Sequence, residues 1–278
     1  MRIVVAYRGI PNSPGRATGD SMVRAFAALG HDAVPYGRWH QTCDWFGTDA
    51  RGDMLVCLEC NDADPQYDEL RYFEGKRVYW EFDTAMRVMG GFPDRTPGLA
   101  YIDAVFLANR RCGGLWFGRL PRYLPYAFDP TCMTPSDGPK SGAAIVGSHF
   151  PHRDEFAAAL GIEVRQAFGN DYAETVSSLL VHVHHYDSGG PGLIVLRPWE
   201  TMGLGVALLA PRTPELEELF TDGVHCAMYD SLEDARAKLA GLLADDVGRE
   251  DMAARGRAEI MSRHTFTPRA QTILEAVR

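Results

Sequence analysis

Three glycines, an arginine and a glutamate lie close together within residues 185–211. They are Gly189, Gly190, Gly192, Arg197 and Glu200. Glycines let the backbone close around an anionic group such as a diphosphate, and free N–H groups at the start of a helix attract the same charge. A carboxylate two turns further along that helix can accept hydrogen bonds from the hydroxyl groups of a sugar. This order of residues predicts a site for a nucleotide or a nucleotide sugar.

Each of these residues also has a plainer explanation. A Gly-Gly-Pro-Gly loop is a good turn, and the apolar residues after it could form an ordinary buried helix. Glu200 follows Arg197 by three positions, so the two side chains could form an ion pair on one helix face. Arg197 would then either neutralise a phosphate or simply hold Glu200. The flanking glycines favour the binding interpretation.

A second set of residues suited to phosphate lies in residues 147–153. Ser148 and His149 belong to a loop that follows a predicted strand, and Arg153 begins the next predicted helix. A guanidinium at that position can bind a diphosphate through two hydrogen bonds. The alternative is a surface arginine beside Asp154. His185, at the end of another predicted strand, is expected to stack on a base or to contact phosphate.

Three patterns have the spacing of metal ligands. They are His182 with His184 and His185, Cys57 with Cys60, and Asp62 with Asp64. Side chains alternate between the two faces of a strand, so His184 and His185 would point to opposite faces. The cysteine pair lacks the second pair of ligands that a zinc site needs. The Asp-x-Asp pair directly follows a predicted strand in the first half of the chain. We therefore predict no metal site.

Two acids end a predicted strand in the first half of the chain. Glu81 and Asp83 lie on the same face of that strand, at the edge where open α/β sheets bind ligands. Asp83 is the better candidate for a general base, and Glu81 could assist it. Capping of the loop or helix that follows is an equally good explanation for Asp83.

The loop after the first predicted strand combines glycines with arginines. Its candidate residues are Arg8, Gly9, Asn12, Gly15 and Arg16. These could contact a phosphate or an acceptor molecule. The loop does not match Gly-x-Gly-x-x-Gly, so a dehydrogenase is a weak interpretation.

Predicted strands and helices alternate along the chain. Strands are predicted at residues 2–7, 33–36, 54–58, 77–82, 101–108, 123–125, 143–146, 163–167, 180–184, 206–210 and 226–229. Helices are predicted at residues 18–29, 153–160, 172–180, 214–220, 232–245, 247–262 and 267–277, besides the segment that carries Glu200. Alternation of this kind favours parallel sheets covered on both faces.

Composition limits the class of protein. The chain has 278 residues, 46% of them apolar, and a net charge of −9. Residues 129–142 are rich in Pro, Gly and small polar residues, which predicts a linker between two α/β halves with a cleft between them. No apolar run reaches the ~20 residues of a membrane helix, and no signal peptide is evident, so we expect a cytoplasmic protein. The acidic charge makes long nucleic acid an unfavourable partner.

Several motifs occur in an order that resembles one enzyme family. They are Tyr-Trp-Glu-Phe-Asp at 79–83, Asp-Ala-Val-Phe at 103–106, Leu-Pro-Tyr-Ala-Phe-Asp-Pro at 124–130, Val-Gly-Ser-His-Phe-Pro-His-Arg at 146–153, Arg-Pro-Trp-Glu at 197–200, Asp-Gly-Val-His at 222–225 and His-Thr-Phe-Thr-Pro-Arg at 264–269. In this order the chain resembles the CgeB-like, spore-maturation type branch of the GT-B glycosyltransferases.

The resemblance implies an α/β fold of GT-B type, with two Rossmann-like domains facing each other across a cleft. Residues 1–136 would bind the acceptor, residues 141–262 would bind a nucleotide-sugar donor, and residues 263–278 would form a helix crossing back to the first domain. It also implies metal-independent transfer with no cofactor beyond the donor, for which a UDP-sugar is the default expectation. Gly192 stands where many retaining relatives carry a first glutamate, so the stereochemistry stays open.

Three other functions stay open from the sequence. One is a nucleotide-sugar epimerase of the same two-domain shape. A second is a domain that binds nucleotide without catalysis, because the first family glutamate is missing. The third keeps the transfer but uses a nucleobase or DNA as acceptor, although a small molecule or a nucleoside fits the acidic charge better.

Overall fold

The structure is a computed structural model that describes residues 1–9, 18–39, 45–47, 49–58, 72–82, 102–110, 119–185 and 195–278. The chain forms two compact units. Unit 1 comprises Met1–Tyr126 together with Phe266–Arg278, and unit 2 comprises Ala127–Thr265. Both units are α/β in composition, as the alternating pattern predicts.

Unit 1 is built on a sheet that has seven strands within the described ranges. These are β1 (Arg2–Gly9), β2 (Asp32–Trp39), β3 (Trp45–Phe46), β4 (Met54–Leu58), β5 (Lys76–Glu81), β6 (Ala104–Leu107) and β7 (Arg122–Tyr123). Their order is β3-β2-β1-β4-β5-β6-β7, and every pair is parallel except β2 with β3. Strands β4 and β6 are buried along their whole length, which explains their continuous apolar sequences.

Unit 2 is built on a sheet that has five parallel strands among its described residues. They are β8 (Ala143–Val146), β9 (Glu163–Arg165), β10 (Val181–Val183), β11 (Ala207–Pro211) and β12 (Ala227–Tyr229), in the order β12-β11-β10-β8-β9. The chain adds β9 on one side of β8 and then β10 on the other. This reversal makes β8 and β10 the switch point of the sheet, where open α/β sheets bind ligands at the carboxyl ends of their strands.

The helices of the described ranges connect these strands. They are α1 (Thr18–Ala28), α2 (Pro151–Leu160), α3 (Asn170–Ser177), α4 (Arg197–Gly203), α5 (Pro214–Leu219), α6 (Leu232–Ala244), α7 (Asp246–Arg263) and α8 (Phe266–Ala276). Helix α8 belongs to unit 1, where it packs against α1. None of the helices in these ranges combines the length and the apolar character that a bilayer crossing requires.

Helix α4 differs from the sequence prediction. Glu200 was expected two turns into a helix, but α4 begins at Arg197 and Glu200 lies in its first turn. Pro198 explains this start, because proline is favoured in the first turn of a helix, where its missing N–H is not needed. The turn therefore places Arg197 and Glu200 side by side at the beginning of the helix.

Residues 127–136 fall in unit 2, whereas the predicted ranges assign them to the first domain. Two contacts explain this placement. The Phe128 N–H donates to the carbonyl oxygen of His264 at 2.8 Å. The Phe128 ring also lies against Gly203, at the end of α4, so closely that a Cβ atom on this glycine would come within 2.5 Å of the ring.

Candidate functional site

The candidate site lies at the switch point of unit 2, where β8 and β10 end side by side. Val146 ends β8 and leads into the Gly147 loop (residues 147–150), after which α2 begins. Residues 184 and 185 follow β10, and α4 begins at residue 197. Since all five strands are parallel, these segments share one edge of the sheet.

Arg153 is held beneath the Gly147 loop. It is only 4% exposed, and its Nη1 donates to the carbonyl oxygen of Ser148 at 2.6 Å. Gly147 has a φ of 153°, and a Cβ atom there would lie 3.1 Å from Nη1, so a side chain would crowd the guanidinium. The surface-arginine alternative is therefore wrong. Asp154 instead contacts the exposed His149, with 2.8 Å between Oδ1 and Nδ1.

Arg197 and Glu200 form an ion pair at the start of α4. Arg197 Nη1 lies 2.9 Å from Glu200 Oε2, with side-chain exposures of 29% and 5%. The guanidinium also lies over the Tyr172 ring, 4.1 Å from its centroid, in a cation–π contact. Burial alone would lower the pKa of Arg197, but Tyr172 and Glu200 outweigh it and raise the pKa. The pair thus combines the permanently charged Arg197 guanidinium with the buried Glu200 carboxylate.

His182 connects the two halves of this edge. It lies buried in β10, and its Nε2 accepts a hydrogen bond from the Val146 N–H at 3.2 Å. Its Nδ1 lies 2.5 Å from Oγ1 of Thr201 in α4. The Thr201 hydroxyl donates in turn to the carbonyl oxygen of Arg197 at 2.8 Å. One imidazole therefore joins the end of β8 to the first turn of α4.

His185 lies in an aromatic cluster beyond β10. Its ring stacks on Phe156 at 3.9 Å and 5°, and its Nδ1 lies 2.7 Å from the Tyr229 hydroxyl. Burial, followed by the charges of His152 and Arg153, lowers the pKa of His185 to about 4. The imidazole is therefore neutral at neutral pH, and one of its faces is covered by Phe156.

The unit 1 candidates end two strands of its sheet. Arg8 is exposed and Gly9 is buried at the end of β1. Glu81 is buried at the end of β5, where its Oε2 accepts a hydrogen bond from the Tyr79 hydroxyl at 2.5 Å. This contact orients the Glu81 carboxylate within the sheet edge.

Several predicted residues lie outside the described part of the chain. They are Asp83, Gly189, Gly190, Gly192, Asn12, Gly15, Arg16, Cys60, Asp62 and Asp64. Among the residues that are described, no group of three or more His, Cys, Asp or Glu side chains could hold a metal ion. Cys57 is buried within β4.

Tyr172 and Thr201 belong to the site but were not predicted from the sequence. Tyr172 comes from α3, and its ring supports the Arg197 guanidinium. Thr201 lies next to Glu200, and its hydroxyl contacts a histidine 19 positions away. The neighbouring motif Arg-Pro-Trp-Glu could have drawn attention to Thr201, whereas Tyr172 has no signal of this kind.

Solved structures of similar fold cover the whole chain. Sucrose-phosphate synthase from Thermosynechococcus elongatus has a TM-score of 0.64 at 10% identity, with 99% of this chain and 98% of that chain covered. HepE from Anabaena, in complex with UDP and glucose, has a TM-score of 0.62 at 12% identity, with 100% and 99% covered. A T4 phage BGT mutant in complex with UDP-glucose has a TM-score of 0.64 at 12% identity, with the same coverage.

At these identities the structural likeness shows the fold, which is of GT-B type. Comparison with curated protein sequences gives no significant match. The family model described as glycosyl transferase-like matches residues 136–275, just over half of the 278-residue chain. The matched span contains the whole sheet of unit 2 and the site at its switch point. The chain therefore belongs to the glycosyl transferase-like family and is a glycosyltransferase of the GT-B fold.

Proposed function

We propose that this glycosyltransferase transfers a sugar from a nucleoside-diphosphate-sugar donor to a small-molecule or nucleoside acceptor. The observation that carries the proposal is the Arg197–Glu200 pair, which lies at the switch point of unit 2 with its carboxylate buried. A UDP-sugar is the proposed donor, because HepE and the T4 phage BGT mutant are both solved with UDP-glucose. The finer assignment to the CgeB-like branch rests on the order of motifs along the chain.

Each donor-site residue has a proposed role. Glu200 would accept hydrogen bonds from the two ribose hydroxyls, which suits a carboxylate whose other partner is a fixed arginine. Arg153 and the backbone of the Gly147 loop would bind the diphosphate, together with Ser148 and the glycines at 189, 190 and 192. His149 and His185 would contact the base or a phosphate.

Leaving-group stabilisation is proposed to come from the protein itself, with no metal ion or other cofactor. Negative charge develops on the diphosphate as the sugar departs, and fixed cations stabilise that charge best when they need not reorganise. Arg153 is fixed by Ser148, and Arg197 is fixed by Glu200 and Tyr172. Two guanidinium groups are thus already held in place at the same sheet edge.

The acceptor must lose a proton when it attacks the sugar, and we assign this step to Asp83. Glu81 is proposed to assist Asp83 rather than to act as the base itself. The Glu81 carboxylate is buried and already accepts a hydrogen bond from the Tyr79 hydroxyl. The N-terminal loop, with Arg8, Gly9, Asn12, Gly15 and Arg16, is proposed to contact the acceptor or a donor phosphate.

Calorimetric titration with UDP tests the donor site. We expect Glu200→Gln to weaken UDP binding by about ten-fold or more, since a charged hydrogen-bond acceptor is replaced by a neutral amide. Glu217→Gln is the matched control, because Glu217 is also paired with an arginine, Arg212, at 2.8 Å but lies on α5. Equal UDP affinity in both variants would remove Glu200 from the site.

Turnover assays test the reaction class. We expect sugar transfer from UDP-glucose or another UDP-sugar to continue in excess EDTA, because the two arginines supply the positive charge. We also expect the donor to remain intact when no acceptor is present. Loss of transfer in EDTA that Mg²⁺ or Mn²⁺ restores would contradict metal independence, and conversion of the donor alone would indicate an epimerase or a hydrolase.

A further inference from the structure

The hydrogen bonds around His182 determine which ring nitrogen carries its proton and which way the Thr201 hydroxyl proton points. A backbone N–H can only donate, so the Val146 N–H requires a lone pair on His182 Nε2. A neutral imidazole then carries its proton on Nδ1 and donates it to Thr201 Oγ1. Thr201 has one hydroxyl proton, which it donates to the Arg197 carbonyl oxygen. The result is a one-way chain of three hydrogen bonds, two of them buried and the third partly buried.

The two ends of this chain are the two halves of the donor site. Val146 immediately precedes Gly147, whose loop covers the Arg153 guanidinium. The Arg197 carbonyl belongs to the first residue of α4, the turn that carries the Arg197–Glu200 pair. The separation of Arg153 from Glu200 therefore depends on the length of the imidazole and on both of its hydrogen bonds.

We propose that His182 is a positioning residue of the donor site: as the neutral Nδ1–H tautomer, it holds the Gly147 loop and the first turn of α4 at the separation that a nucleoside diphosphate spans. This inference rests on the proposed function, because it concerns the same site. His182 itself touches no substrate in this arrangement. It acts through Val146 and Thr201 on the residues that do.

The charges around His182 support the neutral form. Burial comes first, and then His184 just after the same strand, Arg197 on α4 and Arg153 on α2 lower the pKa of His182 well below its usual value. Glu200, a buried carboxylate of this edge, is paired with Arg197. Protonation would also place an Nε2–H against the Val146 N–H, where two donors would face each other.

Substitutions at Thr201 break the chain without touching His182 or the charged residues. Thr201→Val keeps the shape of the side chain and removes its hydroxyl, whereas Thr201→Ser keeps the hydroxyl. We expect UDP affinity, measured by calorimetry, to fall about ten-fold in Thr201→Val and to stay within about three-fold of wild type in Thr201→Ser. Should Thr201→Val fail to fold, Thr201→Ala removes the same hydroxyl and replaces it in the comparison.

Thr213→Val is the matched control for stability. Thr213 is also buried in unit 2, and its hydroxyl oxygen accepts a hydrogen bond from the Leu216 N–H at the start of α5. We expect Thr213→Val to lower the melting temperature about as much as Thr201→Val and to leave UDP affinity unchanged. A merely structural role for Thr201 predicts the same affinity in both variants, and that result would overturn the positioning role.

Nitrogen-15 NMR of the histidine rings shows which ring nitrogen of His182 carries the proton, and this measurement needs no ligand. We expect the His182 ring to carry its proton on Nδ1, with Nε2 as a hydrogen-bond acceptor, and to stay neutral as the pH is lowered from about 8 to about 6. A protonated Nε2 would overturn the proposal whatever the enzyme binds. Failure of the wild-type protein to bind UDP would instead refute the proposed donor, and the positioning role would fail with it.

Discussion

Arg153, Arg197 and Glu200 lie largely inside unit 2, and contacts with neighbouring groups fix each of them there. Arg153 donates to a carbonyl oxygen of the loop above it, while Arg197 combines an ion pair with a cation–π contact. Charged groups are costly to bury, so their partners must be in place before any ligand arrives. Groups fixed in this way can stabilise a developing charge without reorganising, which is the property that sugar transfer from a diphosphate needs.

His185 gives the first prediction at the residue scale. Its pKa in the folded protein is about 4, below its ordinary value of 6.5, so between these values the unfolded chain binds the proton more readily. The stability that neutral His185 contributes is complete above pH 6.5 and is lost as the pH falls toward 4. After allowance for screening of a half-buried ring, we expect a loss of about 1–2 kcal/mol.

Urea unfolding at about pH 7.5 and about pH 5 measures this effect. We expect His185→Gln to lose less stability between the two pH values than the wild-type protein. His149→Gln is the control, because His149 is exposed and pairs with a surface acid, Asp154. An unchanged pH dependence in His185→Gln would show that other groups account for the acid sensitivity.

Asp83 gives the second prediction at this scale. Asp83→Asn keeps the size of the side chain and removes the proton acceptor. We expect turnover with a UDP-sugar and a competent acceptor to fall by about 100-fold or more, with little change in UDP affinity. Near-normal turnover in a correctly folded variant would assign the base to another group, and the departing phosphate would be the first to test.

At the scale of elements, the position of α4 decides where the site residues lie. The helix has seven residues, and its two ends are fixed by different neighbours. Its first turn is held through Thr201 and His182, and its last residue, Gly203, lies directly against the Phe128 ring. Both contacts come from within unit 2, so residues of its own unit fix both ends of α4.

Gly203→Ala tests the contact at the end of α4. The new methyl group would come within 2.5 Å of the buried Phe128 ring, so the ring or the helix must move. We expect a loss of about 1–3 kcal/mol, as for other overpacked cores, together with weaker UDP binding. Urea unfolding and calorimetry measure the two effects.

Gly241→Ala is the matched control on α6. A Cβ atom there meets nothing within 4 Å, so alanine should stabilise that helix by about 0.5–1 kcal/mol. Similar changes in both variants would mean that helix propensity, rather than the contact with Phe128, determines the result at residue 203.

The sequence predicted elements well where one local rule was sufficient. Strands β4 and β8 have the predicted bounds, because short apolar runs between polar residues have few alternatives. Strand β3 was missed, since a two-residue antiparallel edge strand is too short to show a period. The Arg197–Glu200 pair followed from helical spacing, and the structure confirms the pairing.

The other contacts of the site depend on topology, which local patterns do not contain. His182 meets Val146 because β8 and β10 are neighbours, although 36 positions separate them in the chain. Burial of Arg153 depends on the backbone angle of Gly147, which no spacing rule predicts. The proposed roles of Glu200, Asp83 and the glycine loop stay predictions.

At the scale of the whole molecule, unit 1 depends on the last helix of the described chain. Helix α8 packs against α1, and its Arg269 is buried among carbonyl groups of the same unit. Arg269 Nε donates to the Pro125 oxygen and Nη2 to the Tyr126 oxygen, both at 2.8 Å. Burial lowers the pKa of Arg269 to about 10, which still leaves the side chain charged at neutral pH.

Arg269→Ala tests this dependence. The substitution leaves two buried carbonyl groups without their charged donor, so we expect a loss of about 2–4 kcal/mol. Hydrogen exchange followed by mass spectrometry should show lower protection in α1 and α8 of unit 1. Arg51→Ala is the control in the same unit, because Arg51 is 91% exposed and pairs with Asp49 on the surface. Equal effects of the two substitutions would contradict a special role for Arg269.

The division of unit 1 into two stretches affects how the protein is made. During translation, residues 1–126 leave the ribosome before unit 2, and Phe266–Arg278 leaves after it. Multidomain chains commonly complete their N-terminal domain first. Here unit 2, which is contiguous in the chain, can fold before unit 1 is complete. Helix α1 of unit 1 lacks its contact with α8 until α8 has been synthesised. We therefore expect the nascent chain to expose an unfinished apolar surface throughout synthesis of unit 2, and to be a substrate for chaperones in that interval.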